Sequence, residues 1–566
     1  MALTTPSQSP AVSVREIDLT GVVPNVQSTT GAFVGDFNWG PVDKRTQVSN
    51  ESELVSRFGS PSKSNAVDFF SAAYFLKYSS SLFVVRVSDG MNAAATADHQ
   101  GILITPAVPA QYLLDSDGAV VLDSDNQPIV VSEAIPAVYA SAARQIKNSD
   151  HWETSVTAAE DAFYAKYPGT LGNSIRVTVI PAGHDSPLFD SPPEGDELHV
   201  VVSDADGGIT GVTGEVLETF AYVSTTPGAK NEQGGVIYIT DVLNNQSSYV
   251  WMGEYNQGFA PDSDGVWTGT LEGGSDDSIS IEAKGAAYSI YGDVDSVTVD
   301  FIIAAQDVAA DVVTAIAEQR KDCVAVASPS RISVVGNADP AAATIATAPS
   351  TRSSYTVLDN NFFKVYDKYN DQYIYIPSAS STAGVMAAAD LASAPWFSPA
   401  GERRGRYLGV TDLAYNPSKA DRDNLYKAGI NPIANIPGSG VLLYGDKTYQ
   451  RRPSAFDRIN VRRLFLTLER AISQAGKNVM FEMNDEFTRA EFVNIVEPLL
   501  REVQGRRGIT EFRVVCDETN NTPAVIDRNE FIASIFIKPA RSINYVTLNF
   551  VAIRTGVQFE EIVGLV

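Results

Sequence analysis

The chain has 566 residues, more than one hydrophobic core serves, because cores stop growing near roughly 250–300 residues; two to four domains are expected. Its 44% apolar and 19% charged residues exclude a disordered chain. No stretch reaches the roughly 20 apolar residues of a membrane span, and residues 1–10 lack the basic start and apolar run of a secretion signal, so synthesis and first folding in a cytoplasm are expected.

Residues 1–28 are rich in Ser, Thr, Pro and Val. Within them Val12, Val14, Ile17 and Leu19 mark a short, imperfectly alternating strand with no partner strand close in sequence. A lone strand has unpaired backbone groups on both edges, so this one must pair with a distant segment or another chain. A strand at 32–34 and a turn at Trp39-Gly40-Pro41 follow. A helix is predicted next, with Asn65 as N-cap and Phe69, Ala72, Ala73 and Leu76 at i, i+3, i+4 and i+7. Residues 82–87 read as a buried strand, which makes this part a mixed α/β layer.

The net charge of −26 is concentrated in the next block. Residues 91–300 hold 31 Asp and Glu against 6 Lys and Arg; the other residues hold 37 acids and 36 bases. Such a block repels nucleic acid and suits a solvent-facing layer. Its apolar runs are short and its turns frequent, predicting one or two β-rich domains inserted into the α/β frame. Three Asp-x-Asp-Gly sequences begin at Asp115, Asp204 and Asp262. They fit strand-reversing turns; calcium is the alternative, although the further carboxylates and closing Glu of an EF-hand loop are missing.

Residues 301–450 return to α/β character, with strands at 301–303, 323–327 and 373–377 and helices at 312–319 and 382–391. Gly438-Ser439-Gly440 reads as a loop. Ser454 is the expected cap of a helix carrying Val461, Leu464, Phe465, Leu468, Ile472 and Ala475, stopped by Gly476. Thr488 and Glu491 form a predicted capping box for a second helix, which Pro498 should bend. Strands are expected at 512–516, 531–538 and 543–553, after which residues 555–566 leave the domain.

All four histidines, His99, His151, His184 and His199, lie in the acidic block, so no Ser-His-Asp or Cys-His site forms within the later α/β portion. They are expected as surface polar residues, although His184 and His199 could meet in space. Cys323 and Cys516 end apolar runs and are expected as buried reduced thiols. No Walker loop and no G-x-G-x-x-G after a strand occurs. Residues 401–470 hold 13 Lys and Arg against 7 Asp and Glu, with Arg403, Arg404 and Arg406 clustered, then Arg451 with Arg452 and Arg462 with Arg463. A solvated face and an acidic protein partner both fit this concentration.

Several stretches carry a family resemblance. They are Pro10-Ala11-Val12-Ser13-Val14-Arg15-Glu16-Ile17, Ala32-Phe33-Val34-Gly35, Gly40-Pro41, Phe58-Gly59 and Val84-Val85-Arg86-Val87. The middle match is Tyr167-Pro168-Gly169-Thr170-Leu171-Gly172-Asn173-Ser174-Ile175. The last are Val515-Cys516-Asp517-Glu518-Thr519-Asn520-Asn521-Thr522-Pro523 and Ile537-Lys538-Pro539-Ala540. In order and spacing the chain resembles the contractile tail sheath proteins of bacteriophages and related injection systems. Segments 91–160 and much of 180–300 have no counterpart in that resemblance.

The resemblance implies a mixed α/β multidomain fold: a sheath core with a subtilisin-like, non-catalytic portion, inserted β-rich outer domains, and extended arms at both ends. The expected divisions are 1–28 (arm), 29–90 (core), 91–300 (outer insertion), 301–450 (subtilisin-like), 451–554 (C-terminal sheath domain) and 555–566 (arm). Val12, Val14, Ile17, Leu19, Val557, Phe559 and Ile562 are the arm residues expected to cross to neighbouring subunits. Arg403, Arg404, Arg451, Arg452, Arg462 and Arg463 are those expected to face a tail tube. Further implied are stacked six-fold rings or a helical polymer of this chain, baseplate and tail-terminator partners, a place in a virion tail, and contraction without cofactor, nucleic acid or membrane insertion. The alternatives are a subtilisin-like hydrolase, which lacks a histidine in 200–566, and a surface carbohydrate-binding β-protein.

Overall fold

The computed structural model describes residues 29–88, 91, 93–95, 143–156, 158, 161–256, 259, 265–276 and 278–544, with the backbone of four short strands between 103 and 139. The two arms, His99, the Asp115 turn, most of the Asp262 turn and the strand expected at 543–553 beyond Asn544 lie outside the described residues. The chain divides into two compact units, one of residues 26–395 and 399–462, the other containing 396–398 and 463–566. The division falls within one helix, Ile459–Lys477.

In the first unit, five parallel strands lie in the order Leu82–Arg86, Gly31–Gly35, Phe301–Ile303, Val324–Ala327, Thr356–Leu358. Thr46–Val48 adds antiparallel beyond Leu82–Arg86. By chain order the parallel strands run 2-1-3-4-5, so the winding reverses between Gly31–Gly35 and Phe301–Ile303. Ala32, Phe33, Val34, Phe301, Ile302 and Ile303 are wholly buried, as strands covered on both faces must be. The helices Ala66–Leu76, Ala310–Arg320 and Ala379–Ala392 cover the sheet or its ends. The last is built of small residues for a close approach; a Cβ on Gly384 would run into the Tyr78 ring.

The acidic insertion carries a four-stranded antiparallel sheet, ordered Val216–Ser224, Glu197–Asp204, Ile175–Ile180, Trp267–Thr270. It has its own core, including Phe163, Tyr164, Val177, Val200, Trp251 and Trp267, with Trp152 stacked on Trp251 at 5.2 Å. The Asp-x-Asp-Gly at Asp204 is a turn. The buried Asp204 carboxylate accepts the N–H groups of Gly207, Ile209 and Thr210, and Gly207 takes φ 87°. Gly438-Ser439-Gly440 reverses the hairpin Ile433–Ile436 with Gly440–Leu443.

The second unit contains the continuation of Ile459–Lys477, the helix Glu486–Gly505 with Pro498 inside it, and an antiparallel hairpin, Ile509–Val515 with Ser534–Pro539. Val496, Leu500 and Val503 form the buried stripe of the second helix. Trp396 donates to the Arg506 carbonyl at 3.1 Å.

Several sequence expectations are corrected. Asn65 stands at the N-cap of Ala66–Leu76, but its side-chain oxygen accepts the Ser62 N–H instead of a helix N–H. Ser454 caps a 3-10 turn at Ala455–Asp457, and the helix begins at Ile459 and ends at Lys477, one residue past Gly476. Asp485, not Thr488, caps Glu486–Gly505, accepting the Thr488 N–H at 2.8 Å. A carboxylate three residues earlier competes better for those free N–H groups than a hydroxyl already inside the first turn. His199 is no surface residue: it is wholly buried, stacked on Phe189 at 4.0 Å, with Nδ1 accepting the Tyr222 N–H. Cys323 and Cys516 are free and buried.

Candidate functional site

A parallel α/β sheet offers a ligand crevice at the carboxyl ends of its strands where the winding reverses. Here that place lies between Gly31–Gly35 and Phe301–Ile303, and the chain fills it with its own residues. Ile281–Ala287 and the 3-10 turn Tyr288–Tyr291 bring the chain back from the insertion. Ser280 caps this helix, accepting the Ala283 N–H. The Tyr288 hydroxyl donates to the Ile303 carbonyl and accepts the Ala305 N–H. The Tyr291 hydroxyl lies 3.1 Å from the Phe33 carbonyl and 2.9 Å from that of Phe83. Both rings are wholly buried, and burial drives both phenols up in pKa, so they remain neutral donors.

Beside the tyrosines sits a charged cluster. Lys284 forms an ion pair with buried Asp68, which also accepts the Asp36 N–H at 2.9 Å. Arg86, wholly buried, donates to the carbonyls of Gly40 at 3.0 Å and Pro168 at 2.8 Å. Its pKa is lowered to about 10 by burial, opposed by Asp36 and Asp276, so it stays charged. Sequence reading missed Lys284, Tyr288 and Asp68; the one available signal was a lysine in a block holding only six basic residues.

A second polar cluster follows the edge strand. Asp359 is buried and accepts a hydrogen bond from Thr382 at 2.8 Å; Thr382 also lies 3.0 Å from the Tyr407 hydroxyl. Burial pushes the Asp359 carboxyl up to about 6. Ser380 and Ser381, near the start of Ala379–Ala392, are wholly buried, and their hydroxyls have no hydrogen-bond partner. Among the described residues, no three His, Cys, Asp or Glu side chains converge as a metal site.

The arginines expected on one basic face divide into two groups. Arg403 is exposed and Arg404 half-buried in the loop joined to Gly440–Leu443, and Arg451 and Arg452 are exposed ahead of the 3-10 turn. Burial first, then the charge of Arg403, lowers the Arg404 pKa, so these two stand close together. Arg462 and Arg463, by contrast, are 6% and 5% exposed. Arg462 lies between the rings of Tyr355 at 4.2 Å and Phe456 at 4.0 Å and donates to Ser354. The expectation that this pair belongs to an exposed face is therefore wrong: the apolar stripe of the helix places them inward, where the guanidinium stacks on aromatic rings.

In the second unit, the hairpin Ile509–Val515 with Ser534–Pro539 has no further strand on either edge among the described residues. Exposed apolar side chains accompany it: Phe536 is 61% exposed, Met480, Phe481 and Met483 project from the segment joining the two helices, and Phe487 from the first turn of the second. Val12, Val14, Ile17, Leu19, Val557, Phe559 and Ile562 lie outside the described residues.

Residues 283–449 match the family model for the phage tail sheath protein central domain, and 451–553 that for the phage tail sheath C-terminal domain. The tail sheath proteins of Vibrio phage KVP40 and Enterobacteria phage T4 are each 32% identical to this chain, covering 98% of it and 99% of their own lengths. A sheath tail protein from Listeria innocua has the same fold, with a TM-score of 0.54 at 13% identity over 91% of this chain and 96% of that one. One from Desulfitobacterium hafniense gives 0.52 at 14% over 94% and 100%. The chain belongs to the phage tail sheath protein family.

Proposed function

We propose that this sheath protein polymerises around a tail tube and contracts to drive the tube through a host envelope, with no catalytic step and no cofactor. The observation that carries this reading is the hairpin in the second unit, which has no further strand on either edge among the described residues, set against chain ends that read as strands without partners. An added strand supplies backbone hydrogen bonds on either edge, and alternate side chains fix its register. Val12, Val14, Ile17 and Leu19 of one neighbour, and Val557, Phe559 and Ile562 of another, are the strands assigned to those edges. Such arms keep a lattice of stacked six-fold rings connected while rigid parts rotate. Deleting 1–20 or 555–566 leaves a folded monomer that forms no cylinders in negative-stain microscopy. Normal cylinders from either truncated protein overturn the arm exchange.

The finer assignments follow from the same reading. Residues 29–90 and 301–554 form the sheath core, and 301–450 is subtilisin-like in fold alone. Burial of Ser380 and Ser381, and the lack of histidine after residue 199, argue against the hydrolase reading. The acidic block 91–300 is the outer layer, so proteolysis of assembled particles cuts there first. Arg403, Arg404, Arg451 and Arg452 face the tube; exposed pairs contribute roughly 0–1 kcal/mol each but repeat over many subunits. Baseplate and terminator proteins bind the ends of the polymer, which assembles in the host cytoplasm and inserts into neither membrane nor nucleic acid.

A further inference from the structure

Asp68 and Lys284 stand on either side of the insertion's antiparallel sheet, 216 positions apart in the chain, and their side chains touch. Asp68 lies on Ala66–Leu76, and Lys284 on Ile281–Ala287, the helix that brings the chain back to the parallel sheet. Lys284 Nζ is 2.5 Å from Asp68 Oδ2, with the lysine side chain 16% and the aspartate side chain 4% exposed. A carboxyl C–O bond spans about 1.23 Å, which puts Nζ within about 3.7 Å of Cγ. That is close to the roughly 3–3.5 Å of a near-attack pair. The Asp36 N–H donates to the same Oδ2 at 2.9 Å. Asp68 is seated beside apolar rings: a Cβ on Gly35 would lie 3.1 Å from the Asp68 Cβ and within 3.0 Å of the rings of Phe33 and Phe37. Both of those rings are buried.

We propose that Lys284 and Asp68 condense to an amide, a cross-link that the folded chain forms on itself. Nζ gives up a proton and attacks Cγ. The charge that develops on Oδ2 in the tetrahedral adduct is held by the Asp36 N–H, a backbone donor already in place. Oδ1 then leaves as water with the two protons that the nitrogen has lost, and Oδ2 becomes the amide oxygen. One N–C bond forms and one C–O bond breaks, and the reaction draws on no oxidant, cofactor or second chain. Two charges taken out of water are costly to keep even as a pair, and the amide removes both. Limited access for water also opposes the reverse hydrolysis. The bond closes a loop that contains the whole antiparallel sheet of the insertion. Joining so distant a pair restricts the unfolded chain and ties the insertion covalently to Ala66–Leu76.

Mass spectrometry of the full chain tests this, on protein denatured directly after purification and on protein denatured after prolonged storage in the folded state. Wild type is expected to be lighter than its sequence by one water. Trypsin then yields residues 64–77 joined to 231–320, uncleaved after Lys284. Lys284→Arg keeps a cation opposite Asp68 but offers no amine, and is expected at its full sequence mass with no joined peptide. Wild type at full mass at both times, cleaved after Lys284, overturns the cross-link and leaves an ion pair. A water loss that maps elsewhere, such as a succinimide at Asp206-Gly207, overturns it equally, as does one that persists in K284R. Should K284R fail to fold, the peptide map of wild type decides alone.

Discussion

Tyr288 donates its hydroxyl proton to the carbonyl of Ile303 at 2.6 Å, closing the end of a parallel strand from within the same chain. The same oxygen accepts the Ala305 N–H at 2.9 Å, so one phenol satisfies both backbone groups that a ligand or water would otherwise meet. Tyr288→Phe takes one hydrogen bond from the Ile303 carbonyl and removes the acceptor of the buried Ala305 N–H. The expected loss is about 1–3 kcal/mol, the cost of orphaned buried groups. Hydrogen exchange of 301–305 in urea measures it; unchanged protection would show that the hydroxyl contributes nothing there.

Asp359 supplies a pH test. Its carboxyl titrates near 6 in the folded chain because burial disfavours the charge. Its contribution is complete below about pH 4 and is lost as pH rises through about 6. Asp359→Asn flattens this part of the stability profile, which amounts to at most about 3 kcal/mol for a two-unit shift. The slope of melting temperature against pH between 4 and 7 is the readout. A slope equal to that of wild type refutes the assignment.

The two arginine groups separate stability from assembly. Arg462→Ala removes a guanidinium held between Tyr355 and Phe456 and destabilises the monomer by roughly 1–3 kcal/mol. Reversing the exposed Arg403, Arg451 and Arg452 together leaves the monomer's melting temperature within a degree or so, since exposed changes stay near 0.5 kcal/mol each. It weakens co-assembly with tube, as added salt also does. Equal loss of extended and contracted polymers would mean that these arginines hold sheath to sheath.

The parts legible in sequence were those where one local signal dominates. Apolar runs gave the strands at 301–303 and 324–327, and a 3.6-residue stripe gave the helix around Leu500. Caps were less legible: Asp485, Thr488 and Ser454 are all plausible cap residues, and only the path of the preceding loop decides among them. The filled crevice could not be read at all. Tyr288 reaches Ile303 across 15 residues and Lys284 reaches Asp68 across 216, and no periodicity encodes such pairings. Nor did charge counting distinguish Arg462 from Arg452, since burial depends on which face of the helix turns inward.

Phe481 gives the sharpest test of the second unit's surface. Its ring is fully exposed, and its backbone sits at φ 69°, in the left-handed region that a bulky residue seldom adopts. In an isolated subunit both features are unfavourable: the backbone costs of order 1 kcal/mol, and the ring is left in water. Phe481→Gly relieves the backbone and removes the ring. The expected result is a monomer as stable as wild type or slightly more so, by about 0.5–1 kcal/mol. Polymer formation is expected to fall, because each subunit loses the roughly 1.5–3 kcal/mol that burying such a ring in an interface supplies. Phe481→Ala separates the two effects, removing the ring but keeping the backbone strain. Critical concentrations for cylinder formation, measured by sedimentation for the three proteins, decide the matter. Equal values would make Phe481 a surface residue with no part in the lattice.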